Sequence, residues 1–117
     1  MNGPRIGRGD IVLSHFPFTD LSDVRIRPGL IVTAHAVGPD YVLVFISSVI
    51  PPRPRRFDFI LRPGHPEFSM TGLRLPSVFR ADKVVTLHEI LLARRLGRVG
   101  PRTQAEVDTR LCRALGL

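Results

Sequence analysis

Lysine and cysteine are nearly missing from this 117-residue chain, which has one of each, Lys83 and Cys112. A single cysteine excludes an internal disulfide and a structural zinc site. Its place in an expected helix makes it a small apolar filler. Long apolar runs are also absent: nothing approaches the roughly 18 residues that would span a bilayer. The polar start Met1-Asn-Gly-Pro-Arg5 does not resemble a secretory signal. A soluble, cytoplasmic protein with no membrane partner is therefore expected. His15, His35, His65 and His88 are scattered, with no two at ligand spacing on one element, so no metal site and no cofactor are expected. Gly97-Arg-Val-Gly100 lacks the lysine and the strand-to-helix setting of a phosphate loop. The nucleophile-elbow sequence of a serine hydrolase is missing as well.

What the chain does have is arginine. Lys and Arg number 17 against 10 Asp and Glu, for a net charge of +7, and all but one of the cations are arginine. A guanidinium grips phosphate with a planar fork, so a small arginine-loaded domain suits a nucleic-acid binder. Codon usage can also load a chain with arginine, so clustering argues better than the total. Arg53, Arg55 and Arg56 fall together, as do Arg94, Arg95 and Arg98, and the two groups could form one path for a polyanion.

A chain of this length makes one compact domain, residues 1–117, with one core. Residues 1–8 read as a loose leader. Strands are expected at 10–15 and 29–35, joined by a loop of about a dozen residues, longer than a hairpin needs and therefore a functional candidate. Tyr41-Val-Leu-Val-Phe-Ile46, after the turn signal Gly38-Pro39-Asp40, is the most apolar strand. Pro51 to Arg56 breaks regular structure as a stiff, basic connector or flap. A strand follows around residues 57–62, then a Gly- and Pro-punctuated loop from Pro63 to Pro76. Ser77 to Leu87 reads as a strand that can be interrupted near Asp82-Lys83. Residues 88–93 fit a helical turn by propensity. Pro101 and Gly116 frame a last helix, whose Val107, Leu111, Ala114 and Leu115 recur at helical spacing to cover the sheet. Short strands and one terminal helix make a small, mostly antiparallel, barrel-like fold.

Asp10-Ile-Val-Leu13, Phe16-Pro-Phe-Thr-Asp-Leu-Ser22 and Arg27-Pro-Gly-Leu-Ile-Val32 together resemble the opening of the MazF/PemK family of toxin endoribonucleases. The likeness continues through Ile46-Ser-Ser48, Gly72-Leu73, Ser77-Val-Phe-Arg-Ala-Asp82 and the closing helix, covering nearly the whole chain. It implies a mainly β, SH3-like small barrel with a C-terminal helix, and a short strand around Leu92 to Val99. It also implies the toxin half of a type II toxin-antitoxin system, a homodimer neutralised by a cognate antitoxin. The activity implied is that of an mRNA interferase, a sequence-specific endoribonuclease acting on single-stranded RNA.

Such a reaction needs no metal, because RNA supplies its own nucleophile, the 2′-hydroxyl. The enzyme must provide a base for that proton, a donor to the leaving 5′-oxygen, and positive charge on the pentavalent phosphate. Arg80 and Asp82 stand two apart in a strand, so they point to one face roughly 7 Å apart. The resemblance brings two versions of the site. In one, an Arg-x-Asp pair, matched by Arg80-Ala-Asp82, supplies acid and base. In the other, an arginine before proline and a threonine at the end of the central strand are implicated, matched here by Arg27 and Ser47, with serine in place of threonine. The assigned roles are Asp82 as base, Arg80 toward the leaving oxygen or the phosphorane, Arg27 as phosphate clamp and Ser47 as orienting hydroxyl. The plainer alternatives are a surface ion pair for Arg80 and Asp82, loop anchoring for Arg27, and backbone satisfaction for Ser47.

RNA contacts are expected from Phe18, Thr19, Asp20, Ser22, Arg25, Ser48, Arg53, Arg55 and Arg56, with bases stacked on Phe16, Phe18 or Phe57. Two other readings keep the fold without the cleavage: a CcdB-like toxin that binds DNA gyrase, and a degenerate member that binds only RNA or antitoxin.

Overall fold

The computed structural model describes residues 5–16 and 25–117. In chain order it contains β1 (Asp10–Phe16), β2 (Arg25–Ile31), β3 (Asp40–Ser47), β4 (Asp58–Leu61), β5 (Ser77–His88), β6 (Leu92–Arg98) and α1 (Pro101–Leu115). Single 3-10 turns lie at Ser69–Thr71 and Glu89–Leu91. The strands form one antiparallel sheet in the order β4-β5-β3-β2-β1-β6. Among the described residues no ladder joins β4 to β6, so the expected barrel is open rather than closed.

Both faces of the central strands are buried. Ile11, Leu30, Val44, Ile46 and Phe79 turn one way, into a core shared with Val107 of α1. Val12, Phe16, Ile31, Leu43 and Leu87 turn the other way into a second core. Two buried faces explain why Leu30-Ile31 and Val42 to Ile46 read as apolar runs rather than alternations. They also replace the single expected core with two layers.

Several boundaries differ from the sequence reading. β2 begins at Arg25 and ends at Ile31, so Arg25, Arg27 and Pro28 belong to the strand and not to the loop before it. Pro28 is tolerated because β3 pairs with β2 only from Gly29 onward, which leaves the proline partnered on the β1 side alone. Residues 88–93 divide into a turn at Glu89–Leu91 followed by β6, so both readings of that stretch hold in part. The leader is tied down near its end, where Arg8 pairs with Asp108 and donates to the Val32 carbonyl at 2.9 Å. Cys112 and Leu115 are exposed, so neither fills the core. Phe16 is buried edge-on against Phe45, which removes it as a stacking platform.

Helix α1 starts without a capping side chain of its own, since its N-cap is Gly100. Glu67 supplies the cap from 36 residues away: its carboxylate accepts from Thr103 N–H at 2.7 Å, Thr103 Oγ1 at 2.8 Å and Arg102 N–H at 3.0 Å. A Cβ at position 100 would fall 2.8 Å from Glu67 Cγ, so glycine there lets the carboxylate approach. Burial alone would raise the Glu67 pKa, but the hydrogen bonds from Thr103 and Arg102, helped by His65, outweigh it and hold the carboxyl below its ordinary value. A carboxylate with a lowered folded-state pKa contributes stability that is present above its unfolded pKa and lost as pH falls through the folded one. Glu67→Gln should therefore cost about 1–2 kcal/mol at neutral pH. The difference in Tm from wild type should shrink in acid, below the ordinary carboxylate range, where both chains carry a neutral side chain. Thermal melts of both proteins across pH 3–7 check this.

Candidate active site

Three of the four proposed catalytic residues share one sheet face. Arg27 lies opposite Ser14 and two residues from Gly29, which pairs with Phe45. Phe45 pairs in turn with Arg80, and Ser47 follows two residues along β3. Side chains alternate along a strand, so Arg27, Ser47 and Arg80 point the same way, with Ser47 roughly 7 Å from Phe45 along β3.

A groove of about 350 Å³ opens where β2 begins and β3 ends. It is lined by Arg27, Pro28, Ser47, Ser48, Arg74 and Ser77. Exposed Ile26, Val49 and Leu75 form its apolar rim. The Arg27 guanidinium makes one long bond, to the Ile26 carbonyl at 3.2 Å, which leaves most of its donors for a ligand. Ser47 Oγ accepts from Val49 N–H at 3.1 Å, so the backbone fixes its acceptor side while its proton stays available. A larger cavity, about 630 Å³ near Arg5, Thr33, His35, Tyr41 and Glu89, contains none of the proposed catalytic residues.

Arg80 and Asp82 stand beside the groove rather than in its lining. Their position follows from a bulge: Val44 pairs with Val84 and Phe45 with Arg80, so Ala81, Asp82 and Lys83 have no counterparts on β3. The displaced Ala81 N–H donates instead to the Phe57 carbonyl at 3.1 Å. Arg80 reaches Asp82 at 3.6 Å and Asp58 at 3.8 Å, and its Nε is buried without a hydrogen-bond partner. Asp82 keeps 38% of its side chain exposed, enough to reach a substrate.

Asp58 is a residue that sequence reasoning missed. Its side chain is fully buried, and its carboxylate accepts from both the backbone N–H and the Nε of Arg55, at 2.9 and 2.8 Å. The only available signal was a lone acid among Phe57, Phe59 and Ile60 after an arginine run. Lys83 lies over the Phe45 ring at 4.7 Å. Burial, together with Arg80 and Arg55, lowers its pKa, and Asp82 opposes that shift.

The expected RNA contacts divide. Ser48 lines the groove beside Ser47. Arg25 is exposed on β2, and Arg53 and Arg56 are exposed on the connector. Arg55 is held by Asp58 and Arg56 lies over Phe57 at 5.4 Å. Phe18, Thr19, Asp20 and Ser22 lie outside the described residues. The two arginine clusters sit on different edge strands: residues 53–56 lead into β4, while Arg94, Arg95 and Arg98 belong to β6. Among the described residues, no group of three or more His, Cys, Asp or Glu side chains gathers as metal ligands would. No described helix is long and apolar enough to cross a membrane.

Over residues 7–115 the sequence matches the family described as PemK-like, MazF-like toxin of type II toxin-antitoxin system. The chain belongs to that family. Solved structures agree with the assignment. This MazF-like toxin is similar to an endoribonuclease from a mycobacterial species in complex with its cognate antitoxin, with a TM-score of 0.74 and 26% identity over 97% of each chain. It is also similar to another structure described as an endoribonuclease from a mycobacterial species, with a TM-score of 0.69 and 29% identity over 100% of this chain and 95% of that one. MazF in a MazE-MazF structure from Deinococcus radiodurans shares the fold, with a TM-score of 0.71 and 22% identity over 96% of each chain. No curated protein sequence matches the toxin significantly.

Proposed function

We propose that this toxin is a metal-independent, sequence-specific endoribonuclease that cleaves single-stranded mRNA in the groove between Arg27 and Ser47. The observation that supports the reading best is that a guanidinium with unused donors and a backbone-fixed hydroxyl line one groove, on the face that also carries Arg80. The name endoribonuclease borne by the two mycobacterial relatives points the same way.

In this mechanism Arg27 holds the scissile phosphate with its fork of donors, and Ser47 donates to a phosphate or ribose oxygen. Asp82 takes the 2′-hydroxyl proton as the oxygen attacks phosphorus. A carboxylate can do this where a guanidinium, which stays protonated, cannot. Arg80 stabilises the charge on the phosphorane and donates toward the departing 5′-oxygen, which leaves as a hydroxyl once protonated from solvent. The bond formed is O2′–P and the bond broken is P–O5′, so the ends are a 2′,3′-cyclic phosphate and a 5′-hydroxyl. The toxin works as a homodimer and is held inactive by a cognate antitoxin, the kind of partner present with the first mycobacterial relative.

The test is incubation of the purified toxin with a long single-stranded RNA in EDTA, followed by analysis of the product ends. Cyclic phosphate and 5′-hydroxyl ends are expected, with Asp82→Asn slower by about 10²–10⁴-fold if the carboxylate is the general base. Magnesium dependence or 5′-phosphate ends would sink the mechanism. Inhibition of a topoisomerase without RNA cleavage would favour the gyrase-binding reading.

A further inference from the structure

The groove at Arg27 does not end at Arg74. A second groove, of about 430 Å³, begins there, lined by Gly72, Leu73, Arg74, Arg94, Arg95 and Leu96. Leu73 and Arg74 belong to both linings, so the two grooves adjoin along that segment. Backbone packing holds the shared wall in place. A Cβ at Gly72 would fall 2.8 Å from the Leu96 carbonyl carbon, and one at Gly97 would fall 2.6 Å from the Thr71 carbonyl carbon. The segment carrying Arg74 is therefore pressed directly onto β6, the strand that carries Arg94.

The arginines of the second groove are not equivalent. Arg95 is turned back onto Asp10, with its Nε 3.1 Å from the carboxylate, and Arg98 shares the same acid at 3.9 Å. Among the described residues, the exposed side chains of Arg74 and Arg94 make no ion pair or hydrogen bond. Two unneutralised guanidinium groups in line with a scissile-phosphate site fit a ligand that carries one negative charge per unit of length.

From this we infer that Arg74 and Arg94 form an extension of the substrate path, gripping phosphates of single-stranded RNA beyond the cleaved link. The inference rests on the nuclease reading above and adds two residues that the sequence did not single out as a pair. RNA is favoured over an acidic peptide because the strand must continue out of the catalytic groove, and the charged channel starts at that groove's own wall. Side-chain carboxylates of a peptide have no such requirement of continuity.

The experiment measures binding of fluorescein-labelled, mixed-sequence single-stranded RNA with 2′-fluoro riboses, which lack the nucleophile and are not cut. One probe has about twelve nucleotides and one about four, within the range of lengths that single-strand binders cover. For wild type, the slope of log affinity against log salt should be steeper for the long probe. Arg74→Ala and Arg94→Ala should each flatten the long-probe slope by about 0.7, as expected for one phosphate contact, and the double variant by about 1.4. Arg62→Ala, an exposed arginine just after β4, controls for loss of charge alone.

Unchanged long-probe slopes would overturn the inference, as would equal losses on both probes, because the two residues would then not extend the path. Retained RNA binding with lost binding of the antitoxin would reassign the groove to an acidic peptide. If wild type cleaves RNA yet binds both probes with the same slope, only the extension fails. If it neither cleaves RNA nor binds either probe, the nuclease reading fails with it.

Discussion

Replacing Arg27 with alanine should lower the rate of RNA cleavage by about 10²–10³-fold, the effect of removing one donor aimed at the charge that develops in a phosphoryl or acyl transition state. The loss should fall mainly on kcat, because the clamp is worth most when the phosphate carries its extra negative charge. Arg27→Lys should recover only part of the activity. It restores the charge but not the planar pair of donors that can engage two phosphate oxygens at once. Folding should be nearly unaffected, since the side chain is half-exposed and its one bond is to the neighbouring Ile26 carbonyl. Cleavage kinetics on a fixed RNA, with a thermal melt of each variant, separate the two effects. An Arg27→Ala toxin that cleaves at the wild-type rate would place the reacting phosphate elsewhere.

Part of this site was legible in the chain because the motif residues lie on regular strands. Arg80 and Asp82, two apart on β5, do approach each other, and the break expected near Asp82-Lys83 is the bulge that takes Asp82, but not Arg80, out of register with β3. Ser47 is the last residue of β3, as the apolar run ending at Ile46 suggests. What stayed hidden depends on contacts between residues far apart in sequence. Pairing with β1 draws Arg25 to Pro28 out of a loop-like, proline-bearing segment and into β2, and no local propensity signals that. Asp58 looks like a surface acid until Arg55 folds back on it and Arg80 arrives from β5. Glu67 looks like a loop residue until Thr103 in the first turn of α1, 36 positions later, lands on it. Counting arginines gives no sign that strand order puts the two clusters on different edge strands of the sheet. The second buried core was foreshadowed by non-alternating apolar strands, which need cover on both faces.

Gly72→Ala should be among the most destabilising single-methyl additions in the chain. Gly72 has φ +76°, left-handed backbone that an L side chain enters only at a cost of roughly 1–2 kcal/mol. The added carbon would also press on the backbone of Leu96, which cannot rotate away as a side chain could. Strain and clash together should cost about 3 kcal/mol, lowering Tm by about 10 °C in a chain of this size. Gly64→Ala is the control: a Cβ there meets nothing within 4 Å, and its φ lies outside the left-handed range, so its Tm should move little. The effect should reach function too, because Gly72 is the hinge by which Leu73 and Arg74 are held between the catalytic groove and β6. At a temperature where Gly72→Ala is still folded, cleavage should weaken through substrate affinity more than through kcat, since Arg27 and Ser47 lie on β2 and β3 and keep their places. A melt at wild-type temperature, or a loss confined to kcat, would mean that the loop does not position the wall of the groove.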